Sequence, residues 1–251
     1  MNDLIQYTLH LADNALILGH RNSEWTGHGP ILEQDIALSN ISLDLIGQAR
    51  MLYQYAASLS GNGATEDSLA YLRTEREFLN CLLVEQPNGH WGNTIMRQFI
   101  FSAFQYGYYR ELKSKKDVTL SAIAEKSLKE VTYHLQWSSE WVIRLGDGTE
   151  ESHLRMQDAL ELVWPLVPEL FRPEPYETRL AEAGVAVEPD KIETPVREKL
   201  TAVLTEASLS IPEDSGVWSG RSGKSGIHSE HLGYILSEMQ YLQRAYPGCT
   251  W

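Results

Sequence analysis

The sequence predicts an all-α fold, an antiparallel helical bundle with additional C-terminal helices. Apolar residues recur at alternating spacings of three and four along several long stretches, the pattern of helices that bury one face. Four of these stretches reach about 20 residues or more and are joined partly by short turns, so their helices are expected to run antiparallel. No run of alternating apolar and polar residues indicates a strand. A chain of 251 residues is long enough to bury a sizeable core.

The second predicted helix, from Leu32 to Leu59, is the element around which the chain is organised. Its inward stripe consists of Leu38, Ile41, Leu45, Gln48, Leu52, Tyr55 and Leu59. A first helix from Asp3 to His20 carries apolar residues on two sides, so it is expected to be buried on more than one face. Glycines and Pro30 in the linker 21–30 separate these two helices.

Three further helices are predicted in the middle of the chain. Residues 66–84 form the third, which ends before a Pro-Asn-Gly turn at 87–89. The fourth, over 91–112, is apolar nearly all round and is expected to be central. The fifth, over 118–145, carries an amphipathic stripe, and Gly146 is a suitable C-terminal cap for it.

A sixth helix is predicted to begin at Thr149 and Glu150 and to run towards Leu170. Thr149 is a favourable N-cap, and acidic residues in the first turn stabilise the helix dipole. Pro165 and Pro168 are expected to bend or shorten this helix if they fall inside it.

The C-terminal part of the chain differs in composition. A proline-rich connector over 172–195 precedes a helix over 197–209, a Gly/Ser-rich loop over 212–226 and a last helix over 231–246. We therefore predict a single domain over residues 1–251, with a core bundle at 1–171 and a C-terminal helical extension at 172–251.

Composition excludes several classes of function. With 34 acidic and 21 basic residues the formal charge is −13, which argues against general binding of nucleic acid or of an anionic membrane. No apolar run is long enough to span a bilayer, and the start of the chain lacks the pattern of a signal peptide. Cys81 and Cys249 are far apart in sequence and form no metal-ligand spacing. These features favour a reduced, cytoplasmic protein.

Polar residues on the inward stripes raise the question of a metal site. A carboxylate-bridged di-metal bundle needs a Glu from each of two helices and a Glu-x-x-His pair from each of the other two. The corresponding inward pairs here are Leu45 with Gln48 and Val131 with His134, so each pair has an aliphatic residue in place of the carboxylate. Glu130 and His134 alone do not hold two cations.

We interpret these positions as a hydrogen-bonded polar remnant in the core, and a working metal site is the alternative. A buried amide such as Gln48 requires a polar partner, and Asp44, one turn earlier, is the nearest candidate. The predicted remnant comprises Asn14, Asp44, Gln48, Glu130 and His134. Asp13, Gln98 and Gln105 are further inward polar residues.

The loop from Gly220 to Gly226 contains two cations, Arg221 and Lys224. It resembles a phosphate-binding loop only superficially, because Trp218 stands where the first glycine is required and no strand precedes it. Even so, two cations among glycines are suited to a phosphate or an acidic partner. A solvated loop is the alternative. His228 and His231 are further candidates for ligand or partner contacts.

Five segments of the chain resemble the PaaC-type subunits of multicomponent phenylacetyl-CoA epoxidases. The segments are Glu24 to Arg50 (EW-GH-P-LE-D-AL-NI-LDL-GQAR), Val84 to Gly89 (VEQPNG), the pairs Lys129-Glu130 and Tyr133-His134, Arg144 to Thr149 (RLG-GT), and His228 to Gln240 with Trp251. They span essentially the whole chain.

That resemblance implies a ferritin-like bundle that binds no metal itself and has no catalytic residues. It implies a homologous catalytic oxygenase subunit that carries di-iron, a further small subunit and a reductase. Together these would epoxidise the ring of phenylacetyl-CoA in the aerobic degradation of phenylacetate. The chain alone is expected to be able to self-associate, because a large apolar interface is rarely left bare.

Two other hypotheses remain open at this point. One is a self-sufficient metalloenzyme with the ligands Asp13, Asp44, Glu130 and His134. The other is a helical protein whose basic loop binds a CoA-like phosphate.

Overall fold

The computed structural model describes residues 2–61, 63–213 and 222–249. Within these ranges the chain forms twelve α-helices and no β-strand, which confirms the all-α class. The helices are α1 (Asp3–Ser23), α2 (Leu32–Ser60), α3 (Glu66–Tyr71), α4 (Leu82–Glu85), α5 (Trp91–Leu112), α6 (Val118–Gly146), α7 (Glu150–Val163), α8 (Val167–Phe171), α9 (Pro175–Glu182), α10 (Glu193–Glu206), α11 (Glu230–Met239) and α12 (Tyr241–Ala245). None of these helices is long and apolar enough to cross a membrane.

Contacts divide the described residues into two compact units. The first unit contains residues 2–61, 63–87 and 222–249, and the second contains residues 88–213. The division does not follow the predicted boundary at residue 172, because the last two helices group with α1 and α2. The segment from residue 172 to residue 213 belongs to the second unit, together with α5 and α6.

The first unit is built on the antiparallel pair of α1 and α2. Gly19 on α1 lies against Leu45 on α2, and a Cβ added at Gly19 would approach the Leu45 side chain within 3.3 Å. Asp13 lies earlier on α1 and hydrogen-bonds Tyr53, which lies later on α2, so the two helices run antiparallel. The lack of a side chain at Gly19 therefore allows the two helices to approach closely. Gly61 ends α2 with a φ of 62°, a left-handed conformation that favours glycine.

The predicted third helix over 66–84 is wrong. The structure has the short helix α3, a 3₁₀ turn at Glu75–Glu77, an extended segment over 78–81 and the short helix α4. Apolar residues in this stretch are buried as predicted, but in an irregular backbone. Side chains from other elements hydrogen-bond the backbone of residues 78–81 and so replace the bonds that a helix would have made.

The second unit is built on α5 and α6, two helices joined by five residues. Their observed bounds agree with the predicted ones to within one residue. Nearly every side of α5 is buried, and Trp91 at its start packs edge-to-face on Trp137 of α6, with ring centroids 6.4 Å apart. Asp117 caps α6 by accepting the backbone N–H of Leu120 at 2.9 Å.

Prolines shape the remainder of the second unit. Helix α7 ends at Val163, and Pro165 lies in a 3₁₀ turn that precedes α8, so the predicted sixth helix is shortened as anticipated. The predicted connector over 172–195 is only partly correct, because it contains α9 and the start of α10. Pro175 occupies the first position of α9, where its missing N–H has no cost.

Gly146 is the last residue of α6 and lies against the C-terminal end of α10. A Cβ at this position would lie 2.5 Å from the backbone oxygen of Ala207. We expect Gly146→Ala to lower the free energy of unfolding by about 1–3 kcal/mol because the backbone must move apart. The matched control is Gly47→Ala in the middle of α2, where a Cβ meets nothing within 4 Å.

Gly47→Ala is expected to raise the free energy of unfolding by about 0.5–1 kcal/mol, through helix propensity alone. Urea denaturation of both variants measures the difference. A Gly146→Ala protein as stable as the wild type would contradict the close approach of residues 146 and 207.

Candidate functional site

The four positions that correspond to a di-metal ligand pattern are all in the core. Leu45 and Gln48 on α2 are fully buried, and so are Val131 and His134 on α6. The first two belong to the first unit and the others to the second unit. Two of these core positions are therefore aliphatic where the ligand pattern requires a carboxylate.

The other two predicted members of the remnant are less buried. Asp44 and Glu130 are both half-buried. Across the ranges that the structure describes, no three His, Cys, Asp or Glu side chains are grouped so that they could hold a metal ion. The residues that the structure describes therefore do not fit a di-iron centre.

Two buried amides on α5 bond within their own helix. Gln98 donates to the hydroxyl of Ser102 at 2.8 Å, and Gln105 donates to the hydroxyl of Tyr109 at 3.2 Å. Burial raises the pKa of Tyr109 to about 12, so its hydroxyl stays protonated at neutral pH. These inward polar residues have local partners one turn away, as side chains at i and i+4 do.

Asp13 is the centre of a buried ionic cluster in the first unit. One carboxylate oxygen accepts the hydroxyl of Tyr53 at 2.5 Å and a guanidinium N–H of Arg73. The other accepts a second N–H of Arg73 at 3.0 Å and the backbone N–H of Leu79 at 2.8 Å. The Arg73 guanidinium also lies 4.2 Å from the centre of the Phe78 ring. Asp13 thus connects α1, α2 and the 70–79 segment.

The shifts in pKa within this cluster match its geometry. Burial and the charge of Asp13 raise the pKa of Tyr53 well above its ordinary value. Burial alone would lower the pKa of Arg73, but Asp13 outweighs burial and raises it. The pair is therefore an ion pair with a neutral tyrosine at neutral pH, and both oxygens of Asp13 are engaged in holding the fold.

Two more α1 side chains bind the same irregular segment. Asn14 accepts the backbone N–H of Cys81 at 2.8 Å, and His10 donates from Nδ1 to the backbone oxygen of Leu79 at 2.7 Å. Asn14, predicted as part of a metal-site remnant, here satisfies a buried backbone group.

A second buried cluster is centred on Glu85. Its carboxylate accepts Nδ1–H of His228 at 2.8 Å, the amide of Asn80 at 2.9 Å and the backbone N–H of Ser229 at 2.7 Å. Nε2 of His228 contacts the backbone oxygen of Phe78 at 2.8 Å. The Phe78 oxygen and an ionised Glu85 are both acceptors, so this arrangement favours the imidazolium form of His228, in which both ring nitrogens donate.

The pKa of His228 reflects this arrangement. Burial disfavours the charged ring, but the hydrogen bond and charge of Glu85 and the Phe78 carbonyl outweigh burial, so the pKa is raised. His228 thus joins the C-terminal segment to α4, and its contact with a ligand or partner stays a prediction.

The remaining residues of the basic loop are placed as follows. Arg221 lies outside the described residues. Lys224 is buried, with 2% of its surface exposed, and Gly223 beside it packs so closely that an added Cβ would clash with the backbone oxygen of Asn80. His231 is half-buried, and its backbone oxygen accepts an N–H of Arg21 at 3.5 Å. Contact of this loop with a phosphate or an acidic partner stays a prediction.

Glu85 and Arg73, the charged residues on which the two clusters depend, were not predicted as site residues. Glu85 had a signal, because it directly follows the apolar run Leu82-Leu83-Val84, and a carboxylate buried with such a run requires partners. Arg73 had none, since it lies in a short loop and its partner Asp13 is sixty residues away in sequence.

Comparisons with known proteins identify the family. The family model described as "Phenylacetic acid catabolic protein" matches residues 1–251. The chain is 46% identical over 251 residues to the C subunit of the 1,2-phenylacetyl-CoA epoxidase of Escherichia coli (strain K12), in an alignment that covers 100% of both chains. Its all-α architecture agrees with the ferritin-like fold that the sequence resemblance implied. The chain belongs to the PaaA/PaaC family of phenylacetic acid catabolic proteins.

Proposed function

We propose that this chain is a non-catalytic partner subunit of a multicomponent di-iron epoxidase that acts on phenylacetyl-CoA. The observation that carries this proposal is the 46% identity to one subunit of a phenylacetyl-CoA epoxidase over the full length of both chains. In this proposal a homologous catalytic subunit holds the di-iron centre, a further small subunit and a reductase complete the complex, and this chain stabilises the catalytic subunit.

The side chains of the core support a non-catalytic role. Leu45 and Val131 are fully buried hydrocarbons, which offer no oxygen to a metal. The alternative of a self-sufficient metalloenzyme relies on Asp13 as a ligand. Both oxygens of Asp13 already accept hydrogen bonds from Arg73, Tyr53 and the Leu79 backbone, so this ligand set would break the buried cluster.

The alternative of a CoA-binding protein relies on the basic loop. Lys224 is 2% exposed, so its ammonium does not offer a surface phosphate site. This observation favours the partner-subunit proposal over binding of CoA by this chain alone.

Exposed apolar residues support association with another protein. On α2, Leu32, Ile36 and Leu43 are 72%, 52% and 66% exposed, and their spacing places them on one side of the helix. Large apolar side chains grouped on one surface are typical of protein interfaces, because association removes them from water.

The proposal predicts that epoxidation requires both subunits. Co-expression with the homologous catalytic subunit should give a stable hetero-oligomer by size-exclusion chromatography, and both chains should melt at a higher temperature than either alone. This chain, purified from iron-replete cells, should hold far less than one iron atom per polypeptide, because Leu45 and Val131 cannot ligate iron.

Two results would contradict the proposal. One is full epoxidase activity of the catalytic subunit without this chain. The other is a stoichiometric iron content in this chain alone that is lost on replacing Glu130 and His134 together. Gln136→Ala, an exposed polar change on the same helix, is the control for the second measurement.

A further inference from the structure

The second unit contains a groove of about 730 Å³ between α5, α6 and α10. Its floor is apolar, and its lining includes the small residues Ala103 and Gly107, which lie one turn apart on α5. A Cβ at Gly107 would come within 2.9 Å of Val196 on α10, so α10 packs closely against α5 at this point. The groove does not involve any residue of the clusters around Asp13 or Glu85.

The dimensions of the groove suit the side chains of a helix. On α6 the lining extends from Thr132 to Ile143, which corresponds to about 17 Å along the helix axis. A helix with its side chains is about 10–12 Å in diameter, and about 17 Å along its axis corresponds to about three turns. A helix lying along the groove would therefore present about three turns of its side chains to it.

The wall formed by α6 presents hydrogen-bond acceptors. The hydroxyl of Thr132 donates to the backbone oxygen of Leu128 at 2.6 Å, and that of Ser139 donates to the backbone oxygen of Leu135 at 2.6 Å. A hydroxyl has a single proton, so both oxygens have only lone pairs left for a ligand. This wall matches an occupant that carries N–H donors.

Charges of both signs surround the apolar floor. The carboxylates are Glu111, Glu140 and Glu206, and the cations are Arg110 and Lys199. The Arg110 guanidinium also lies 5.6 Å from the centre of the Tyr106 ring, and this cation–π contact stabilises its position at the rim. A rim of several exposed charges around an apolar centre is typical of protein interfaces, whereas small-molecule pockets have few polar groups.

We propose that this groove binds a basic amphipathic helix of another subunit of the epoxidase complex, an inference that rests on the proposed function. Apolar residues of that helix, spaced by three and four, would fill the floor. Its lysines or arginines would face the acceptor wall, Glu140 and Glu206. The excess of carboxylates at the rim and the net charge of −13 both favour a basic occupant. Lys199 and Arg110 would pair with acidic residues on the opposite edge and so fix the direction of the helix.

The test uses charge reversal at the rim of the full-length chain. The variant carries Glu140→Lys and Glu206→Lys, both at exposed positions of the groove. The matched control carries Glu125→Lys and Glu198→Lys, exposed on the same two helices but outside the groove, with the same change in net charge. The probe is a synthetic helical peptide of about 14 residues, with leucine at helical spacing and lysine elsewhere.

We expect the rim variant to bind the lysine peptide about tenfold more weakly than the wild type, with the control variant close to the wild type. The same peptide with glutamate in place of lysine should bind the wild type more weakly than the lysine peptide. Hydrogen exchange should show protection of residues 132–143 and 195–206 when the lysine peptide binds. Equal weakening in both variants would show a general charge effect and would overturn the proposal.

The cognate complex provides the second arm of the test. If the wild type and the control assemble with the other oxygenase subunits while the rim variant assembles about tenfold more weakly, the groove is a subunit-binding site. If all three assemble equally, the groove proposal fails and the proposed function stands. If the wild type does not assemble, the proposed function itself fails. A low-mass compound that co-purifies with the chain and is displaced by filling the groove with Ala103→Trp would also overturn the proposal.

Discussion

Replacing Arg73 by methionine is expected to lower the free energy of unfolding by about 3–5 kcal/mol. The methionine keeps most of the apolar stem but removes the guanidinium that donates to both oxygens of Asp13. The carboxylate of Asp13 is fully buried, so it would be left as a charge without its counter-ion in the interior. Chemical denaturation monitored by circular dichroism measures the change.

The control for this experiment is Arg155→Met. Arg155 forms an exposed ion pair with Glu151 at 2.7 Å, one turn away on α7. Exposed pairs of this kind are worth about 0.2–1 kcal/mol, so this variant should be close to the wild type in stability. A loss at Arg73 as small as the loss at Arg155 would show that the Asp13 cluster does not hold the first unit together.

Replacing His228 by glutamine is expected to lower the free energy of unfolding by about 2–3 kcal/mol at pH 6. The imidazolium donates to Glu85 and to the Phe78 backbone oxygen at once, and a glutamine amide in the same place satisfies only one of them. The loss should be smaller at higher pH, because the wild type itself loses this stabilisation there.

The direction of this pH dependence follows from the raised pKa of His228. The folded protein holds the proton more tightly than the unfolded chain does, in which a histidine has a pKa of about 6.5. The stabilisation is therefore complete below the unfolded pKa and is lost as the pH rises through the higher pKa of the folded protein. The buried charges that act on His228 are Glu85 and, at longer range, Asp13.

The control is His28→Gln, a substitution at an exposed histidine in the linker between α1 and α2. Urea denaturation between pH 5.5 and pH 9 should show stability curves of His28→Gln and wild type that run parallel. The curve of His228→Gln should converge with them as the pH rises. A constant gap across this pH range would show that His228 is not the titrating group.

The sequence located the long helices well and the short elements poorly. Helices α1, α2, α5 and α6 begin where the apolar periodicity predicted, and their ends differ by no more than three residues. The stretch 66–84 was wrongly predicted as one helix, because its buried apolar residues have a spacing that also suits a helix. Helix α9 was not predicted, because proline is common both in connectors and at the first position of a helix, where Pro175 lies.

For the residues of the predicted remnant, burial could be predicted from the sequence but their hydrogen-bond partners could not. Asn14, Gln48 and His134, which were predicted to face the interior, are buried. Their burial could be predicted because each lies on an apolar stripe, which depends only on helical spacing. The bond of Asn14 to the Cys81 backbone could not be predicted, because that partner is 67 residues away in sequence.

The all-α class, the four long helices, the aliphatic residues at positions 45 and 131, and the resemblance to the family were all readable from the sequence. Each of these depends on residue type or on spacing within one helix, which the sequence records directly. The contacts of segment 78–81 became visible only in the folded chain, where side chains of α1 and His228 hydrogen-bond its backbone. Buried polar groups must find partners wherever the chain brings them together, and sequence spacing does not record that proximity.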